Sequence, residues 1–353
     1  MSATSIVVLV LWIEGTAIGL ALTSILGYAL FTRYAVRRRD ARLSRARGII
    51  AAHLEDLDIP PAQLAELRRL PRRELIRLYF DVAPSVGEAE RRWLQRLAGT
   101  LGLLVTARDR TQSSRWWMRL SGSRLLSLVG ADPEVMYRLL DDPDSIVRAQ
   151  AASFVALYPN PAGIEGLVAM LGDADAICRF ASMDALMRLG ARATPIVVAR
   201  LAEPVGATTI SLLEVACATA SHEHMPAALA HIADPRPDAR FLVARLLRGI
   251  GGPAAADQLT ALLRDGSESV REAAAEALGF LNHWPAAPAV AALLNDSVSS
   301  VRLSAAGALD RLGPPGELLL RRAKSRGTET ASAAARRILD DASRAPTTLA
   351  SKS

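Results

Sequence analysis

DGSESVREAAAEALGFL at residues 265–281 and DSVSSVRLSAAGALDRLG at residues 296–313 are one phrase written twice, 31 residues apart. Each copy has an aspartate six residues before an arginine, then a run of Ala and Leu. The register extends backwards: Arg148, Arg179, Arg240, Arg271 and Arg302 are separated by 31, 61, 31 and 31 residues. Asp142, Asp173, Asp234, Asp265 and Asp296 each precede their arginine by six. Two residues before each aspartate stands a large aliphatic: Leu140, Leu171, Ile232, Leu263 and Leu294. The 61-residue interval holds one weak copy, which keeps Leu201 and Glu203 and loses the arginine near Thr209. Six and seven residues after the arginine come Ala185-Leu186, Leu246-Leu247, Ala277-Leu278 and Ala308-Leu309; eleven after it come Gly190, Gly251 and Gly313.

Each unit therefore reads as helix A, an Asp-containing turn, helix B and a glycine stop. Pro195, Pro226 and Pro288 fall near the starts of first helices, where proline is tolerated. Neither helix can bury its apolar stripe alone, so neighbouring units must stack into one continuous core. The composition agrees: 50% of residues are hydrophobic but only 5% aromatic, so the core is built from small aliphatics. Ala151-Ala152, Ala274-Ala275 and Ala305-Ala306 let adjacent units approach closely. Arg119, eleven residues before Gly130, reads as the second helix of an earlier, truncated unit. The spacing predicts an all-α, right-handed α-α superhelical solenoid over residues 113–342, followed by a disordered tail at 343–353.

Together with DDPDSIVRAQAASFVAL at 141–157, these phrases resemble the HEAT repeat family, in its short bacterial form also seen in phycobilin-lyase-like repeats. The resemblance covers roughly residues 115–342. It implies the solenoid fold and a binding role rather than a particular chemistry. The Asp/Arg row is preferred as a structural ladder: the aspartate caps helix B and the arginine bonds the turn or the next aspartate. A ligand-binding row of arginines is the competing reading.

Ser5 to Phe31 reads SIVVLVLWIEGTAIGLALTSILGYALF, with one charge. About 20 apolar residues span a bilayer as a helix, so residues 1–34 are expected to be a single transmembrane helix. No basic residue precedes the run, whereas Arg33, Arg37, Arg38, Arg39, Arg42, Arg45 and Arg47 follow it. The positive-inside rule then puts the N-terminus outside and the rest in the cytoplasm. Gly15, Gly19, Thr23 and Gly27 recur every four residues, a stripe that admits a second helix; glycine is also common in membrane helices. Glu14 either bonds a partner membrane protein or reaches water beside Trp12 at the outer interface.

Residues 35–112 form a basic neck and an irregular helical region. Residues 33–124 carry 20 arginines against 10 acids, while 125–353 carry 22 Lys and Arg against 25 acids. Positive charge beside a membrane helix points to anionic lipid, with Arg37, Arg38 and Arg39 as headgroup contacts, before nucleic acid. Cys178 and Cys217 sit in apolar helical patterns and read as core thiols.

No nucleotide-binding loop, zinc-protease or serine-hydrolase motif occurs. His222, Glu223, His224 and His231 lack good ligand spacing and read as a solvated turn, so no catalytic residue, metal or cofactor is assigned. What remains is surface. The B helices offer Asp184, Arg188, Arg245, Arg248, Glu272, Glu276, Asp310 and Arg311, a mixture that suits a protein partner better than nucleic acid, with a plainly solvated face as the competing reading. The expectation is a non-enzymatic, membrane-anchored scaffold. Its alternatives are an accessory subunit of a membrane enzyme or transporter, such as a polysaccharide glycosyltransferase, and a bilin lyase- or hydroxylase-like enzyme.

Overall fold

A computed structural model describes residues 3–53, 59–83, 87–129, 132–203 and 206–344, and these form helices with no strand among them. The chain divides into two compact units, Met1–Pro133 and Glu134–Ser353. The division falls after the helix that carries Arg119, so the truncated unit groups with the neck. Gly130 and residues 345–353 lie outside the described residues.

The first unit is built on one long helix, α1 (Ala3–Ala52). Helix α1 does not stop at residue 34 but runs on through the basic segment. Leu43, Ala46 and Ile50, at helical spacing, are buried against α2 (Pro61–Arg68) and α3 (Arg72–Val82). Pro60-Pro61 and Pro71 start those two helices, because proline forces the preceding residue out of helix and fits the first turn. α4 (Glu88–Thr100), α5 (Leu103–Thr111) and α6 (Trp116–Val129) complete the unit. Tyr79 lies in its core and donates to the Leu94 carbonyl at 3.1 Å; burial pushes its phenol far above the usual range.

The second unit opens with α7 (Pro133–Arg138) and α8 (Ser145–Leu157). Five helix pairs follow: α9 (Pro161–Met170) with α10 (Ala176–Leu189), α11 (Thr194–Leu201) with α12 (Thr209–Ala218), α13 (Met225–Ala230) with α14 (Pro237–Ile250), α15 (Gly252–Leu262) with α16 (Glu268–Phe280), and α17 (Ala287–Ala292) with α18 (Ser299–Arg311). α19 (Pro314–Arg326) and α20 (Glu329–Arg344) close the unit. Each B helix packs on its own A helix and on the B helices before and after it. The register explains this. Residues one before and six and seven after each ladder arginine are buried, such as Val270, Ala277 and Leu278, or Val301, Ala308 and Leu309. Cys178 occupies the Val270 position and is buried; Cys217 is half-buried, and both thiols are free.

Gly190, Gly251 and Gly313 end their helices with φ of +55°, +70° and +69°. The α15–α16 unit has Asn282 in that slot, at φ +51°, the best substitute because its short polar side chain tolerates the left-handed region.

Candidate functional site: ladder and B-helix face

The ladder is a set of bidentate ion pairs between successive units. Arg148 grips Asp173 with Nε–Oδ2 and Nη2–Oδ1 both at 2.8 Å. Arg240 grips Asp265 at 2.7 and 2.8 Å, and Arg271 grips Asp296 at 2.8 and 2.9 Å. The remaining nitrogen, Nη1, donates back to its own turn: from Arg240 to the Asp234 carbonyl at 2.7 Å, from Arg271 to Asp265 at 2.9 Å. Each guanidinium thus ties one turn to the next, a geometry that lysine lacks.

The ladder aspartates do not cap helix B themselves. Their Oδ1 atoms accept the N–H two residues on, as Asp265 does from Ser267 at 2.8 Å and Asp296 from Val298 at 2.9 Å. That bond presents the residue two positions on as the cap; Asp144 and Asp175 fill the role with their own carboxylates. The arginine bonds hold Asp173 and Asp265 below the usual carboxylate range. At Asp296 burial pushes upward, and the Arg271 bond and the Val298 N–H together outweigh it.

The weak unit breaks the series in two places. Arg179 bonds its own turn, to the carbonyls of Asp173 at 2.8 Å and Ala174 at 2.9 Å, but among the described residues no carboxylate meets its fork. Glu203 instead pairs with Arg200 at 3.0 Å. In the next turn Thr209 replaces the arginine, and Asp234 is gripped by Arg236, only two residues away, at 2.8 and 3.0 Å. Arg236 also reaches back to the Gly206 carbonyl at 3.4 Å. It therefore supplies from the far side the link that Thr209 cannot make. The Asp234 side chain is fully buried, and the Arg236 bond pulls its carboxyl down to about 2. Arg302 bonds the Asp296 carbonyl at 2.7 Å and ends the series. In the first unit Arg119 makes the same turn contacts, to the carbonyls of Ser113 and Ser114.

Asp184, Arg188, Arg245, Arg248, Glu276, Asp310 and Arg311 are exposed on the B helices, and Glu272 is half-buried. Asp184 and Arg188 pair at 3.5 Å. The face also carries large apolar groups that charge counting passed over: Ile177 at 55% exposure, Phe180 at 74% and Phe280 at 62%. Arg248 covers the Phe280 ring, 4.1 Å from its centroid. Residues one and nine after the ladder arginine fall on this side, so the register itself was the available signal.

The histidine segment differs from the expected solvated turn. His222 and Glu223 are exposed, but His224 is fully buried, and its Nδ1 accepts the Ser221 N–H at 3.2 Å in a capping box. Burial pushes its imidazole down. His231 is buried too, bonded through Nε2 to the Leu201 carbonyl at 2.8 Å. No group of three or more His, Cys, Asp or Glu among the described residues is arranged to hold a metal ion.

On α1, Gly19, Thr23 and Gly27 are exposed, and a Cβ added at either glycine would meet nothing within 4 Å. The side chains of Glu14 and Gly15 lie outside the described residues. Helix α1 is long and apolar enough to cross a membrane, by length and composition. Arg37 and Arg38 are exposed, with Arg38 over the Tyr34 ring at 4.5 Å. Arg39 differs from its two neighbours. It shares a helix face with Leu43, is half-buried, and stands 4.0 Å from the buried Glu74, which Arg42 approaches to 3.4 Å.

Paired helices stacked in register define a helical-repeat solenoid. The HEAT repeats family profile matches residues 133–217, 205–279, 225–310 and 259–342, more than half of the chain, and the chain belongs to that family. Among curated proteins none matches the chain. Among solved structures, importin beta is similar at 13% identity and a TM-score of 0.51, over 83% of this chain and 47% of that one. Human deoxyhypusine hydroxylase has 16% identity and a TM-score of 0.28, over 87% and 97%. The CpcE–CpcF phycocyanin lyase complex of Nostoc sp. has 19% identity and a TM-score of 0.30, over 67% and 94%. At these identities the likeness to importin beta is one of fold alone.

Proposed function

We propose that the chain is a non-catalytic scaffold, held to the cytoplasmic membrane by α1 with its N-terminus outside, that presents the B-helix face of its HEAT repeats to a cytoplasmic protein. The observation that carries this is the exposure of Ile177, Phe180 and Phe280 on the B helices, with Arg248 over the Phe280 ring. Interfaces favour aromatic anchors and arginine over lysine and lone carboxylates. The anchor is supported by the bare apolar surface of α1, where Leu20, Ile25, Leu26 and Phe31 are all more than half exposed. Tethering would raise the effective concentration of the partner at the bilayer. The test is photocrosslinking from positions 180 and 280 in intact membranes. One discrete adduct, lost when Arg248→Glu is introduced, supports the reading; adducts identical to those from exposed α19 positions refute it.

A second reading, an accessory subunit of a membrane enzyme or transporter, is favoured by the open glycines on α1. Gly19→Leu would then release a stoichiometric membrane partner in gentle detergent, and retention of that partner would refute the docking role.

A further inference from the structure

The ion pairs of the neck fix the height of its helices along α1. Glu66 of α2 meets Arg45 at 3.7 Å; Glu74 and Asp81 of α3 meet Arg42 at 3.4 Å and Arg47 at 2.9 Å. Helix α2 therefore climbs towards the apolar end of α1, and α3 descends from it. The corner between them, residues 69–71, lies level with residues 39–42. At 1.5 Å per residue that is about 9–14 Å along the axis from Arg33, whereas Ala52 is about 29 Å away.

This corner carries Arg68, Arg69 and Arg73, all exposed, and no described carboxylate pairs with them. The acids nearest in sequence are already engaged: Glu66 by Arg45, and Glu74 by Arg42 with Arg39 alongside. Arg72 is spent on structure, bonding the Leu101 and Gly102 carbonyls at 3.1 and 2.6 Å where α4 ends. Arg33, Arg37 and Arg38 are exposed on α1 just above. Six arginines thus lie within about one to two Debye lengths of the level of Arg33, and an arginine side chain spans much of the remaining gap.

We propose that the corner between α2 and α3 is a second anionic-lipid contact, through Arg68, Arg69 and Arg73, which rests the neck helices on the headgroups. It rests on the membrane-anchor reading above. Lipid is favoured over an acidic protein or nucleic acid because the corner is continuous in charge and in height with the arginines that follow the apolar run.

The test uses the full chain in nanodiscs, with a bimane label on Leu70→Cys or Ala52→Cys and a nitroxide quencher on the lipid headgroup. The native thiols are poor competitors: burial pushes both up, Cys217 to about 11, and unsubstituted protein sets their background. In discs of phosphatidylcholine with phosphatidylglycerol, the label at 70 should be quenched about threefold more than the label at 52. It should lose that excess in pure phosphatidylcholine, and again when Arg68, Arg69 and Arg73 are all changed to Glu. Equal quenching at 70 and 52, or quenching at 70 that ignores lipid charge, overturns the proposal. A chain that stays out of the discs overturns the anchor reading and this proposal with it; one that enters with position 70 unquenched overturns this proposal alone.

Discussion

Replacing Asp234 by Asn keeps the shape of the side chain and the oxygen that accepts the Arg236 N–H, but removes the charge that the Arg236 guanidinium grips. The carboxyl is held at about 2 in the fold, against about 3.9 in an unfolded chain. The folded value is the lower one, so the contribution is complete above the unfolded value and is lost as the pH falls through 4 towards 2. The shift sets a ceiling of about 2.5 kcal/mol at neutral pH. Arg236 keeps 35% of its side chain in water, and that screening brings the expected cost to about 1.5–2.5 kcal/mol. Hydrogen exchange of amides in α12 to α14 should therefore run roughly 10- to 70-fold faster in Asp234→Asn at pH 7, provided exchange proceeds by local opening. At pH 3 the ceiling falls to about 1.4 kcal/mol, a factor of about ten. A ratio that is the same at both pH values would refute the assignment of the surrogate rung, as would no acceleration at pH 7.

Arg271→Ala leaves the half-buried Asp296 uncompensated and should cost about 3 kcal/mol, read as exchange about 100-fold faster in α16 and α18. Arg321→Ala removes the exposed pair with Glu317 and should move its helix by less than about 0.5 kcal/mol by the same assay. Gly316→Ala would put a Cβ 1.8 Å from the Leu309 carbonyl oxygen, so thermal stability should fall by about 1–3 kcal/mol. Gly307→Ala has nothing within 4 Å and should instead stabilise α18 by about 0.5–1 kcal/mol.

The solenoid was legible because its constraint is periodic: Asp265, Arg271 and Ala277-Leu278 recur at one spacing, and the geometry of a rung demands those residue types. The surrogate at Arg236 was not, since a contact two residues from its partner leaves no long-range spacing to count. Its trace is an arginine where the other units have Asp144, Asp175, Ser267 and Val298. The nearness of Arg39 to Glu74 was legible by one further step. Counting back four from Leu43 puts it on the buried stripe of α1, whereas Arg37 and Arg38 face outward. The aromatic side of the B face was missed because exposed Phe180 and Phe280 look, by composition, like core. Fold depends on repeated residues and so survives averaging over units; the binding face depends on positions where the units differ.

A row of linked clamps behaves as a beam only while every clamp is closed. Here the open fork of Arg179 and the shortened link at Asp234 affect the two links on either side of the α11–α12 turn, so stiffness drops over one unit between two well-braced blocks. Pulled or bent by a bound protein, this molecule would yield at α11 and α12 first, and the segments on either side would swing as separate levers.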